Sequence, residues 1–296
     1  MQEYLGEIAG IVTAMCWTAT ALFFQVASRR IGSLVVNLLR LILAGVFYTI
    51  YLRIAHGVWW PQADAHAWTY LGISALIGYV LGDFFLFKSY EYISSKTSTL
   101  IFTIAPPIAA VLSWIMLDER LTMMNVLGML VVLLGVFIVI LFREDEDQER
   151  KTNRRLGITY AVLGTIGQGV GSVFSKLGMG DMDPFMASQM RVLVGIVGFL
   201  LVITAMRRWG RVRDSFKDAK GLVNTSLGAF FGPFLGVGIS LFSIQLIPVG
   251  IAATLMSTIP IFILAPSAIF LKEKLNFREI LGAFVAVGGI LIFFLA

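Results

Sequence analysis

Ten continuously apolar runs, each about as long as a bilayer is thick, restrict this chain to very few folds. A hydrocarbon core of about 30 Å takes roughly 20 helical residues at about 1.5 Å each. By that ruler the spans fall near 5–27, 33–53, 67–89, 95–117, 123–142, 156–178, 184–206, 222–246, 250–271 and 277–295. In lipid every backbone N–H and C=O must be satisfied within the protein, so only helices and closed barrels cross. A barrel strand would alternate apolar and polar residues over about 10 positions. These runs do not alternate, and the sequence predicts an all-α integral membrane protein with ten transmembrane helices. Composition agrees, with 14 % charged and 58 % apolar residues and a mean hydropathy of +0.86, where a soluble domain carries about 25 % charged residues.

The charges exclude several function classes. The 23 Lys and Arg against 18 Asp and Glu sit in short breaks between apolar runs and form no continuous stripe, so no nucleic-acid partner is expected. One cysteine, Cys16, inside the first run, allows neither an intrachain disulfide nor a Cys-based metal site. No metal or cofactor is expected. The opening MQEYLGE lacks a basic n-region, so the first run is expected to stay in the mature protein.

The chain repeats itself. LDERL at 117–121 returns as LKEKL at 271–275, which sets Glu119 and Glu273 apart by 154 positions. That offset also pairs Pro106 with Pro260, Gly128 with Gly282, Gly135 with Gly289, and GYVLG at 78–82 with GPFLG at 232–236. In the second span of each half, Arg40 pairs with Arg191 at an offset of 151. The expected organisation is a first five-helix repeat over 1–142, a charged linker at 143–155 and a second repeat over 156–296. Because five is odd, the second repeat must enter the membrane from the opposite side, which makes the repeat inverted.

Basic residues resist translocation and set the orientation. The face holding the loops after spans 1, 3, 5, 7 and 9 carries 17 Lys and Arg, and the opposite face only Arg53 and Arg120. The linker is therefore expected in the cytoplasm and both termini outside.

Two halves of five helices, an Arg early in each second span, and a Pro-containing fourth span running through LDERL or LKEKL into a Gly-rich fifth together resemble the EamA family of the drug/metabolite transporter superfamily. The resemblance covers nearly the whole chain. It implies a membrane transporter working by alternating access around a cavity between the halves, with amino acids and other small metabolites among its substrates. Family members are commonly drawn with cytoplasmic termini, opposite to the charge count here.

Ionisable side chains within spans are costly and mark function or a buried partner. On that ground Asp83, Lys176, Arg40 and Arg191 are candidates for substrate binding or proton coupling, with Arg40 and Arg191 also near enough to the surface to snorkel. Lys88, five residues from Asp83, is the nearest cation in sequence but not quite on its face. Lys176 stands where the first half has Gln25, and an anionic substrate group beside it would account for the difference. Gln25, Gln245, Trp17 and Trp114 complete the binding candidates. Gly78 and Gly82, Gly232 and Gly236, and Gly167 and Gly171 make small-xxx-small faces on spans 3, 8 and 6, either static contacts or sliding surfaces. Pro106 and Pro260 break their helices, and Glu119 and Glu273 suit a tight hinge with an interfacial ion pair.

The function expected is secondary transport of a small metabolite out of the cell across the plasma or inner membrane, by a monomer or homodimer in the bilayer. The alternatives are an intramembrane enzyme and a non-transporting scaffold or receptor. No Walker motif, HExxH or GxSxG is present, and His56 and His66 both lie in or beside a loop. No catalytic residue is expected.

Overall fold

A computed structural model of the chain describes residues 4–89, 92–93, 95–142, 153–266 and 276–295, and among them the regular structure is entirely helical. Among the described residues ten helices are long and apolar enough to cross a membrane: α1 Leu5–Ile31, α2 Ser33–Ala55, α3 Ala65–Leu86, α4 Thr97–Leu117, α5 Met123–Phe142, α6 Arg154–Met179, α7 Pro184–Ala205, α8 Ala219–Leu246, α9 Val249–Pro266 and α10 Phe277–Leu295. Helix α1 runs four residues past its expected end because Arg29 and Arg30 suit the negative pole of its last turn. The single residue between α1 and α2 is Gly32 at φ 86°, a left-handed conformation that glycine reaches without a Cβ clash.

Capping residues outside the hydrocarbon start several spans. Asp64 accepts a 2.8 Å hydrogen bond from Ala67 N–H at the head of α3, and 154 residues later Asp218 accepts one of 2.8 Å from Gly221 N–H at the head of α8. Asp183 caps α7 through Phe185 and Met186 N–H, ahead of Pro184 at the first helical position. Asp218 also shares the single Arg30 Nε–H between its two oxygens, each at 2.9 Å, which with the Gly221 N–H holds its carboxyl below the usual carboxylate range.

Packing couples the two halves helix by helix: α1 lies along α8 and α9, α6 along α3 and α4, α2 against α7, and α5 against α10. Exchanging each helix of the first half with its equivalent in the second leaves this set of pairs unchanged. Closest of all are α5 and α10. A Cβ at Gly282 would lie 2.8 Å from Gly135 O, and one at Gly289 would lie 3.0 Å from Gly128 O, so the helices cross antiparallel through glycine backbone. The residues paired by the 154 offset thus make the same contact twice, 128 on 289 and 135 on 282.

Two irregularities recur at equivalent positions. Helix α3 widens into a π-helical turn over Leu76–Gly82 and α8 does so over Phe230–Gly236. In each, an N–H reaches back five residues, from Asp83 to Gly78 O and from Val237 to Gly232 O. Pro233 has no N–H to donate in its turn, and Gly228 O, five residues before it, takes Thr20 Oγ1 at 3.2 Å instead. Helices α4 and α9 are each broken just ahead of a proline: α4 between Phe102 and Ala105, before Pro106, and α9 between Met256 and Ile259, before Pro260. The LKEKL stretch, Glu273 included, lies outside the described residues, as do 143–152 of the linker.

Candidate functional site

The glycine faces predicted from spacing are where α3 and α6 touch backbone to backbone. A Cβ on Gly164 would come within 3.0 Å of Gly82 O, one on Gly167 within 3.0 Å of Gly82 Cα, and one on Gly171 within 3.1 Å of Gly78 Cα. The matching seam joins α8 to α1, where a Cβ on Gly232 would lie 2.7 Å from Thr20 Cγ2 and one on Gly236 2.7 Å from the Trp17 indole. Such contacts suit a bilayer, which supplies no hydrophobic drive between helices.

At the end of the α3 seam the π turn releases Asp83, 8 % exposed, toward two helices at once. Its Oδ2 accepts from Arg40 Nη2 on α2, and its Oδ1 accepts from Gln168 Nε2 on α6 at 2.9 Å. The Arg40 guanidinium also lies 5.7 Å from the Phe24 ring centre. Four residues before Asp83, inside the π turn, the buried Tyr79 ring carries the Arg191 guanidinium of α7 at 4.5 Å. Arg191 is 7 % exposed, and among the described residues it makes no hydrogen bond or ion pair. Both arginines therefore turn inward, against the snorkelling read from their depth.

The cluster is unbalanced in charge and in hydrogen bonding. It holds two guanidinium groups and one carboxylate. Position 237, which matches Asp83 in the second half, is valine, so Arg191 lacks the partner that Arg40 has. Among the described residues seven buried side-chain atoms lack a hydrogen-bond partner, and three are here: Arg40 Nε, Tyr79 Oη and Arg191 Nε. All three can donate; the cluster lacks an acceptor.

The remaining candidates fall elsewhere. Lys176 Nζ contacts Glu119 Oε1 at 2.5 Å and donates to Ile247 O at 2.8 Å, while Glu119 Oε2 accepts from Val249 N–H. The charge difference between Lys176 and Gln25 is thus answered within the protein, by Glu119 from the other half, and Gln25 itself is exposed. Glu119 passes over its neighbour Arg120, which pairs with Asp118 at the left-handed end of α4. Gln245 Nε2 donates to Gly180 O and Met182 O and ties α8 to the α6–α7 loop. Trp17 packs between the two apolar cores. Trp114 is 57 % exposed in a stripe with Val111 and Ile115, the side a helix turns to lipid. Lys88 stands over the Tyr92 ring and is not the partner of Asp83.

Three interior residues were not singled out by sequence: Tyr79, Gln168 and Tyr48, whose hydroxyl donates to Pro233 O at 2.7 Å and Phe234 O at 2.8 Å in the α8 π turn. Gln168, a polar side chain amid the glycines of GTIGQGVG, was the most findable.

A model of the EamA-like transporter family matches residues 4–141 and again 155–295. The chain is similar to two uncharacterized transporters of Archaeoglobus fulgidus, one 26 % identical across 97 % of each chain and one 22 % identical across 95 % of each. It is also similar to the uncharacterized transporter YoaV of Bacillus subtilis, 25 % identical over 41 % of this chain and 40 % of that one. A solved crystal structure superposes with a TM-score of 0.75 at 17 % identity, covering 98 % of this chain and 96 % of that one, a likeness of fold alone.

Proposed function

The chain belongs to the EamA-like transporter family, and on that premise we propose that it carries a small metabolite out of the cytoplasm by alternating access between two inverted repeats, 1–142 and 156–296, joined by a cytoplasmic linker at 143–155. It is a multi-pass membrane protein, and we place it in the plasma or inner membrane. One observation carries the reading: the polar cluster of Arg40, Asp83, Gln168 and Arg191 lies where helices of the two halves meet, beside a glycine seam that has a counterpart in α8 and α1. The antiparallel crossing of α5 and α10 supports inversion, since repeats related by an axis along the membrane normal would bring equivalent helices together in parallel. Solute flux in proteoliposomes, with product formation in detergent as the contrary result, tests transport against intramembrane catalysis. Loss of the pH dependence of flux in Asp83→Asn, with flux retained, is expected if Asp83 carries the coupling proton.

Orientation is tested by single cysteines at Gln148 and beside Met1 in a Cys16→Ser background. A membrane-impermeant reagent added to intact cells is expected to label the site beside Met1 and leave Gln148 unlabelled, because 17 basic residues hold the linker face inside. The reverse pattern would turn the topology over.

Sliding of the seams is tested by Gly82→Leu and Gly236→Leu. A side chain at Gly82 meets Ile77 O at 3.0 Å and Gln168 Nε2 at 3.4 Å, whereas one at Gly236 meets the Trp17 ring. Each is expected to cost about 1–3 kcal/mol of stability and to reduce flux, with the two variants changing cysteine accessibility oppositely on the two membrane faces. Wild-type flux and accessibility in both variants would make the glycines static contacts.

A further inference from the structure

We infer that the transported solute carries a carboxylate, and that Arg191 is the group that holds it, with Tyr79 Oη and Arg40 Nε as neighbouring donors. The inference rests on the transporter reading and deepens it.

A guanidinium on a membrane helix, 7 % exposed and without an ion pair or hydrogen bond among the described residues, is a high-energy arrangement. The ring of Tyr79 offsets part of that cost by facing the cation, but a ring face satisfies no N–H. The chain could have supplied an internal partner at position 237, where the first half has Asp83, and supplies Val237. What would complete the cluster follows from its shortfall. Three unpartnered atoms, all able to donate and from three different helices or turns, call for oxygen acceptors. One uncompensated positive charge calls for one negative charge. A carboxylate meets both needs and matches the fork of an arginine; a phosphate monoester, nearly doubly charged at neutral pH, would leave excess negative charge. Cations and uncharged solutes leave the arginine unpaired. In this conformation the donor atoms are sealed from solvent, so a solute reaches them when the α3–α6 seam opens.

The test uses the purified full-length protein in detergent and follows its thermal unfolding with sodium pyruvate, lactate, benzoate and L-leucine, and with the carboxamide of each. At least one acid is expected to raise the unfolding temperature and none of the amides to do so. Arg191→Gln is expected to weaken the apparent affinity for that acid about 100-fold or more, and Tyr79→Phe roughly tenfold, the scale of hydrogen bonds to charged groups. Arg191→Lys, which keeps the charge and loses the fork, falls between. Without added solute, Arg191→Gln is expected to unfold at or above the wild-type temperature, because it removes an unpaired buried charge. A large drop there would make Arg191 a structural residue and overturn the inference. So would an amide as effective as its acid, or no stabilisation by any of the acids. Flux separates the two readings: a neutral or cationic solute carried equally by wild type and Arg191→Gln leaves the transporter standing without its anion site. Arg191-dependent stabilisation by an acid that does not cross proteoliposomes leaves the site standing without the transporter.

Discussion

Gly135→Leu is expected to cost the folded bundle about 3 kcal/mol, the upper end of overpacking penalties, while Gly288→Leu on α10, the helix packed against it, stays within about 0.5 kcal/mol of wild type. The contrast comes from what each new side chain would meet. At Gly135 even a Cβ would lie 2.6 Å from Ala286 Cβ and 2.6 Å from Gly282 O, and it would also press on the Ala286 amide. Backbone atoms of a helix cannot swing aside as the end of a side chain can, so α5 and α10 must separate along their length. At Gly288 nothing lies within 4 Å. Gly289→Leu, at the equivalent place in the other half, is expected to behave as Gly135→Leu does, since its Cβ would sit 2.8 Å from Val132 Cγ2 and 3.0 Å from Gly128 O. Chemical unfolding in mixed micelles gives the three values; equal costs at Gly135 and Gly288 would mean that the seam is not close-packed in the membrane.

Asp83→Ala is expected to be as damaging or more, by about 3–5 kcal/mol, the cost of removing one partner of a buried ion pair. It strands Arg40 beside an already unpaired Arg191 and leaves Gln168 Nε2 with only its 3.2 Å bond to Gly78 O. The double variant Arg40→Met/Asp83→Val is expected to recover most of that stability, because exchanging both members of a buried pair for apolar groups of similar volume is close to neutral. Val237 occupies the equivalent site in the second half without disturbing the π turn there. Recovery of stability without recovery of flux assigns the pair to function. An Asp83→Ala protein as stable as wild type would show that the pair is solvated.

The bilayer explains why so much of the architecture was legible in the sequence. Its thickness sets the length of each span, its apolarity makes the spans continuous, and its lack of hydrogen-bonding partners dictates helix. Ten spans could therefore be counted, and their ends missed by only a few residues. The 154-residue offset exposed the doubling because packing requires the same small residues at the same places in each half. Gly128, Gly135, Gly282 and Gly289 were visible as a pattern, although not as one interface in which 128 meets 289 and 135 meets 282.

The candidate site was legible in its members and not in their pairing. Asp83 and the two arginines stood out because charge inside a span is rare, but the nearest cation in sequence, Lys88, lay not quite on the face of Asp83 and no partner could be named. The structure chose Arg40, 43 residues away, and Gln168, 85 residues away. Lys176, the cation offered to substrate, went to Glu119 instead. The reason is geometric. A π turn inserts one residue into the helix and rotates everything after it by about 100°, so the face on which Asp83 emerges cannot be found by counting in a regular helix. Partners on helices far apart in sequence are fixed by which backbones can approach, and that is set jointly by glycines on both sides of the α3–α6 seam. The sequence by itself determined the ten membrane helices, their doubling and the presence of buried charge, because each follows from local composition judged against a lipid solvent. Only the tertiary structure decided which charges neutralise one another and left Arg191 a buried cation with neither ion pair nor hydrogen bond among the described residues, because pairing depends on helix rotation and close approach, which no single segment encodes.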